Sequence, residues 1–109
     1  MSPVRQYEVW LVTLDPTVGS EIRKTRPCVV ISPNEMQPLR TVIIAPLTSK
    51  GFDFVFRPKI RFQEKEGLVL LDQIRTVDKR RLVKKLGAVD REKARQIART
   101  LTEMFAWKE

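Results

Sequence analysis

Short apolar segments separated by turn signals occupy most of the first 89 residues, and they limit the chain to a β-rich fold. They are rich in β-branched and aromatic residues, which favours strands. Turn signals such as Asp15-Pro16 and Ser32-Pro33-Asn34 end two of them. The pattern predicts six or seven short strands, at residues 7–14, 27–31, 41–47, 52–57, 59–62, 67–73 and 82–86.

The periodicity changes at Asp90. Apolar residues then recur at the spacing of one helix face: Ala94, Ile97, Ala98, Leu101, Met104 and Phe105. Asp90 is a suitable N-cap, and Glu92 in the first turn complements the helix dipole. The sequence therefore predicts a mainly β chain with a C-terminal α-helix, a small barrel with a helix laid against it. We expect one domain over residues 1–109.

Charge and composition narrow the functional classes. The 109 residues carry 21 Lys+Arg against 13 Asp+Glu, a net charge of +8, which favours a polyanionic partner. Apolar runs fall short of the roughly 20 residues of a spanning helix, and the polar N-terminus does not resemble a secretory leader. We expect a cytoplasmic protein without a membrane role. With no histidine and only Cys28, the usual zinc and iron ligand sets are missing, so we expect no cofactor and chemistry that is metal-free or at most Mg²⁺-dependent.

The loop between the first two strands holds the residues best suited to chemistry. Gly19-Ser20-Glu21 is followed by Arg23, Lys24 and Arg26, so a carboxylate lies among cations. RNA supplies its own nucleophile, the 2′-OH, so cleavage needs a base, donors to the phosphorane and an acid. Arg26 offers a fork of donors that matches phosphate. A solvated loop in which Arg26 only pairs with a carboxylate explains the spacing equally well.

Three segments in this order resemble the MazF/PemK toxin family: residues 15–33 with Gly19-Ser20-Glu21 and Thr25-Arg26-Pro27, residues 45–49 and residues 71–78. The resemblance implies a type II toxin–antitoxin endoribonuclease, a homodimer of SH3-like barrels. Such a toxin cleaves single-stranded RNA at short sequences without metal, leaving 2′,3′-cyclic phosphate and 5′-OH ends. It also implies an acidic antitoxin as partner, with DNA contacted only through that antitoxin.

The resemblance also implies roles for particular residues. Arg26 and Thr48 match the catalytic arginine and the threonine that holds the phosphate, while Glu21 and Asp72 match alternative catalytic carboxylates. Further RNA-binding positions are Ser20, Arg23, Lys24, Ser49, Lys50, Gln73 and Arg75. The chain departs from the family where Ile22 to Thr25 replace a glycine-containing loop, and where Ser20 and Leu70 replace a histidine and an arginine of some members.

Several of these residues have a purely structural interpretation. Asp72 could pair with Arg75 or Arg80, and Cys28 fits a buried small hydrophobe better than a nucleophile. Trp10 and the alternating Phe52, Phe54 and Phe56 fit a core or a dimer interface, although a solvent-facing ring could stack on a base. The basic run of Lys79, Arg80, Arg81, Lys84 and Lys85 suits either a solvated face or a surface for RNA or an acidic antitoxin.

Two other functions remain open. A non-catalytic RNA-binding barrel would carry the same charge. A gyrase-directed, CcdB-like toxin would share the architecture and act through protein contact, with dependence on residues 104–107 and not on Arg26.

Overall fold

A computed structural model describes residues 3–109 of the chain. It confirms the predicted fold class: a curled, seven-stranded antiparallel sheet followed by one C-terminal helix. The elements are β1 (Glu8–Thr13), β2 (Thr25–Val30), β3 (Thr41–Thr48), β4 (Lys59–Phe62), β5 (Lys65–Val69), β6 (Arg75–Asp78), β7 (Leu82–Ala88) and α1 (Arg91–Met104).

The sheet is organised around β3. Its neighbours are β2 on one side and both β5 and β6 on the other, because the short turn at Leu71–Gln73 redirects the chain between β5 and β6. The strand order is β4-β5-β3-β2-β1-β7, and register shifts between β1 and β7 add to the curl. As a result the start of β2 and the end of β3 lie together.

The central strands β2 and β3 are buried on both faces of the sheet, which explains their nearly continuous apolar runs. One face forms a core around Trp10, Val12, Cys28, Val30 and Ile44. The opposite face carries a second set, which includes Val9, Val29, Ala45, Leu47 and Ile97. Because successive side chains on a strand point to opposite faces, neighbouring residues belong alternately to the two cores.

Helix α1 covers the second core. The Asp90 side chain accepts a hydrogen bond from the Lys93 backbone N–H at 2.9 Å, which confirms the predicted N-cap. Ile97 is fully buried against the sheet, with Leu101 and Met104 half-buried beside it. No helix within residues 3–109 has the length and apolarity needed to cross a membrane.

Two strand predictions were wrong. Residues 52–57 form no strand, and Phe52, Phe54 and Val55 are exposed. The predicted strand at 67–73 ends at Val69, and the short polar strand β6 follows after Leu71–Gln73. The placement of the phenylalanines in a core was therefore wrong for Phe52 and Phe54, whereas Trp10 is buried as expected.

Candidate active site

The structure divides the predicted site residues between two clefts. The first, here called the β2–β3 cleft, has a volume of about 300 Å³, and its lining includes Arg26, Thr48, Ser49 and Lys65. The second, here called the loop cleft, has a volume of about 390 Å³ and is lined by Ser20, Glu21, Ile22, Asp72, Gln73, Ile74 and Arg75. The remaining predicted residues are exposed: Arg23 and Lys24 at the end of the loop between β1 and β2, and Lys50 at the start of the loop between β3 and β4.

Antiparallel pairing brings Arg26 and Thr48 to the same end of the sheet. Cys28 is the register partner of Pro46, and two further residues along each strand lead to Arg26 and Thr48. Residues two apart share a strand face. The pairing therefore directs a guanidinium and a hydroxyl to one cleft wall, with the Lys65 side chain on the β5 side.

Arg26 is oriented by its own loop. Its Nε donates to the Arg23 carbonyl oxygen at 2.7 Å, and no group among residues 3–109 accepts from its two Nη nitrogens. The two ends of the loop between β1 and β2 are joined by a hydrogen bond from the Leu14 N–H to the Lys24 carbonyl at 2.9 Å. Lys24 adopts a left-handed φ of 72° at this point. The Nη groups are thus directed away from internal partners and can donate to a phosphate.

The hydrogen bond at Thr48 leaves its hydroxyl available as a donor. The Lys50 backbone N–H donates to Thr48 Oγ1 at 3.2 Å, which leaves the hydroxyl proton for another acceptor. The neighbouring strand approaches closely, because a Cβ on Gly67 would lie 3.2 Å from the Thr48 carbonyl oxygen. Glycine at this position allows β5 to pack against the end of β3.

Glu21 is held within the loop cleft by backbone contacts. Its Oε1 accepts from the Val18 N–H at 2.6 Å, and the Ile22 N–H donates to Gln73 Oε1 at 2.8 Å. The second contact ties the loop to the Leu71–Gln73 turn across 51 residues of sequence. Glu21 and Asp72 therefore line one cleft although they are distant in the chain.

Asp72 has a partner that the sequence analysis did not identify. Arg57 Nε donates to Oδ1 at 3.0 Å and Nη2 donates to Oδ2 at 2.8 Å, so the expected pairing with Arg75 or Arg80 was wrong. The hydrogen bonds from Arg57 lower the pKa of Asp72 below its ordinary value, despite partial burial. A carboxylate stabilised in this way is a weak base.

The other two arginines have different partners. Arg75 Nη1 donates to the Leu14 carbonyl at 3.1 Å, and Arg80 pairs with Asp78. Arg57 and Lys65 were not among the predicted site residues. Arg57 lay within an alternating pattern that predicted a strand, and Lys65 is the first residue of β5, so neither carried a motif.

Cys28 lies in β2, two residues after Arg26, and its side chain belongs to the first core. Burial raises the pKa of its thiol to about 12, while the charges of Arg75 and Arg26 act in the opposite direction. The side chain is fully buried, which confirms the prediction of a small core residue.

Much of the basic run has structural contacts. Arg81 Nη1 donates to the carbonyls of Thr13 and Asp15 at 3.1 and 2.6 Å, which fixes the end of β1. Lys79 Nζ donates to the Gln37 carbonyl at 2.7 Å, and Lys85 forms an ion pair with the buried Glu8 at 2.8 Å. These contacts favour the structural interpretation for Lys79, Arg81 and Lys85.

Comparison with solved structures identifies the fold. The chain superposes on MazF from Deinococcus radiodurans with a TM-score of 0.85 at 20% identity, covering 98% of this chain and 100% of that one. The Mycobacterium tuberculosis toxin MazF-mt6 gives 0.76 at 17% identity, with 94% and 99% covered. An endoribonuclease in complex with its cognate antitoxin from a mycobacterial species gives 0.78 at 19% identity, with 96% and 99% covered. The fold is that of the MazF toxins.

The sequence identifies the family. Residues 5–105 match the family described as PemK-like, MazF-like toxin of type II toxin-antitoxin system. The chain belongs to this toxin family, in agreement with the resemblance seen in its motifs.

Proposed function

We propose that this chain is the toxin of a type II toxin–antitoxin pair and acts as a sequence-specific, metal-independent endoribonuclease on single-stranded RNA. The observation that carries the proposal is the convergence of Arg26 and Thr48 on one open cleft that also holds Ser49 and Lys65. These side chains offer donors suited to a phosphate.

In the proposed reaction the 2′-oxygen attacks the adjacent phosphorus as a base removes its proton. The new O2′–P bond forms while the P–O5′ bond breaks, and a proton is delivered to the departing 5′-oxygen. The products are a 2′,3′-cyclic phosphate and a 5′-OH. Arg26 Nη groups and the Thr48 hydroxyl hold the non-bridging oxygens, where charge increases in the transition state.

Glu21 is the better candidate for the base. Asp72 is committed to Arg57 and its pKa is lowered, whereas Glu21 engages one backbone N–H through a single oxygen. Glu21 belongs to the loop cleft, so this role requires the RNA to cross from one cleft to the other. Asp72 then acts by holding Arg57.

The RNA strand follows both clefts in this proposal. Ser20, Gln73 and Arg75 line the loop cleft, and the exposed Arg23, Lys24 and Lys50 contact neighbouring phosphates. Ser49 assists Thr48 in the β2–β3 cleft. The net charge of +8 supports binding to a polyanion.

We propose an acidic antitoxin as the natural partner and a homodimer as the active form. MazF of Deinococcus radiodurans has been solved with MazE, and this chain superposes on the MazF of that complex with a TM-score of 0.78. A segment with negative charge and apolar anchors would compete with RNA for the same clefts. DNA would be contacted only through the antitoxin.

The experiment is incubation of the antitoxin-free protein with a long single-stranded RNA in EDTA, followed by mapping of cut sites and end groups. We expect discrete cuts with cyclic-phosphate and 5′-OH ends, lost in Arg26→Ala and retained in Arg95→Ala, which removes an exposed arginine on α1. RNA that is bound but never cut would indicate a binding barrel. Toxicity that survives Arg26→Ala would indicate a protein-directed toxin.

A further inference from the structure

An aromatic cluster stands exposed beside the β2–β3 cleft. It lies in the loop between β3 and β4, within residues 52–57, and is here called the aromatic loop. Phe52 is 68% exposed and Phe54 is 48% exposed. Large rings this exposed lose the favourable free energy of burial unless a partner covers them.

The aromatic loop is ordered by its own contacts. The rings of Phe52 and Phe54 meet edge to face with centroids 6.5 Å apart, and those of Phe54 and Phe56 meet at 5.9 Å. The Arg57 guanidinium lies over the Phe52 ring at 5.0 Å from its centroid, while its Nε and Nη2 donate to Asp72. The ion pair at the loop cleft therefore holds the guanidinium that lies over Phe52.

The position and charge of this surface favour a nucleic acid base as the occupant. A small cleft of about 140 Å³ connects Thr48 and Ser49 to Gly51 and Asp53 of the same loop. Lys50 precedes Phe52 by two residues, the Arg57 guanidinium lies over the Phe52 ring, and Lys59 pairs with the neighbouring Asp53 at 3.2 Å, so cations surround the ring. Aromatic rings beside cations that track a backbone are how proteins hold single-stranded nucleic acid.

We propose that the solvent-facing side of Phe52 stacks on an unpaired base of the RNA whose phosphate is held at Thr48, so that Phe52 is a substrate-positioning residue. Arg57 occupies one side of the ring, and the base takes the other. The proposal rests on the proposed function for the identity of the ligand, but stacking does not require cleavage.

The test measures binding without chemistry. Fluorescein-labelled 12-nucleotide adenine and uracil strands carry 2′-fluorine in place of the 2′-OH, which removes the nucleophile. A matching strand without bases retains the sugar-phosphate backbone. Phe52→Ala is compared with Phe105→Ala, which removes an equally exposed ring at the end of α1, and with Phe52→Trp, which keeps a stacking surface.

We expect Phe52→Ala to weaken binding of the adenine strand roughly 5- to 150-fold, the range of a lost base–aromatic stack. The loss should be smaller for uracil and absent for the baseless strand, and Phe52→Trp and Phe105→Ala should bind like the unmodified protein. Equal binding of the adenine strand by Phe52→Ala, or an equal loss on the baseless strand, would overturn the proposal. If the stacking result holds but ribose strands are never cut, the proposed catalysis fails while this inference stands.

Discussion

Arg57 and Asp72 form a bidentate ion pair with donor–acceptor distances of 3.0 and 2.8 Å. This ion pair joins the aromatic loop to the turn before β6. The pair links the two parts of the molecule for which we propose contact with RNA. It also changes the chemistry of Asp72, since the guanidinium holds the pKa of that carboxyl below its ordinary value of 3.8.

Removal of the pair should give a small, pH-dependent loss of stability. At pH 7 we expect Asp72→Asn to lower the free energy of unfolding by about 1 kcal/mol, as for a partly exposed bidentate pair. Because the folded-state pKa is lowered, this contribution is present above about pH 4 and is lost as the pH falls through the folded pKa. Urea titrations of both proteins from pH 7 to pH 3 check this. A difference that grows on acidification would contradict it.

Glu8 should contribute more to stability than any exposed carboxylate. Burial raises its pKa, but hydrogen bonds from the Arg5 N–H, the Lys85 ammonium and the Trp10 indole outweigh burial and leave the pKa lowered. We expect Glu8→Ala to cost about 3 kcal/mol, because it leaves these donors without an acceptor. The exposed Glu103→Ala should change the free energy of unfolding by less than about 0.5 kcal/mol. Equal losses of unfolding free energy for Glu8→Ala and Glu103→Ala in urea titrations would contradict the stabilising role of the Glu8 hydrogen bonds.

Cys28 should be inert in the folded protein. Its thiol is buried and its pKa is raised to about 12, so almost no thiolate exists at neutral pH. We expect an aromatic disulfide reagent to react only after unfolding in urea, and Cys28→Ala to retain RNA cleavage. Rapid labelling of the folded protein, or loss of cleavage in Cys28→Ala, would contradict this assignment.

RNA affinity should depend steeply on salt, with identifiable contributions from single cations. Each phosphate contact to a single strand contributes about 0.7 to the slope of log affinity against log salt. We expect Arg23→Ala and Lys24→Ala each to reduce the slope by about that amount, and Arg95→Ala on α1 to leave it unchanged. Anisotropy titrations of a 2′-fluoro strand at several salt concentrations measure it. An RNA affinity that does not change with salt concentration would contradict the proposed course of the RNA along the two clefts.

Elements with a strong local pattern were predictable from the sequence. The helix and the Asp90 cap depend only on neighbouring residues, and both are present, although Phe105 of the predicted stripe lies just past the end of α1 and is exposed. The prediction of a strand at residues 52–57 was wrong, because alternating phenylalanines indicate only that the rings can lie on one side of the backbone. Here the rings pack on one another and on Arg57 instead of joining a sheet. Strand β6 is short and polar, and it exists because β3 has a free edge to pair with.

Contacts within the site depend on distant parts of the chain. Glu21 and Asp72 share a cleft because the Ile22 N–H reaches Gln73, and Arg57 reaches Asp72 over 15 residues. No local signal predicts either contact. By contrast, Arg26 and Thr48 were predicted as site residues through motifs, and the antiparallel register of β2 and β3 explains why those two motifs lie close together.

The most direct test is the single-turnover cleavage rate of one mapped RNA site in EDTA, measured for the unmodified protein, Arg26→Ala and Thr48→Val. Binding to a 2′-fluoro copy of the same strand serves as the control for affinity. We predict a rate loss on the order of 100-fold or more in each variant, with the folded structure kept, because each removes a donor to the charged transition state. Unchanged rates in both variants would contradict the assignment of the β2–β3 cleft as the active site.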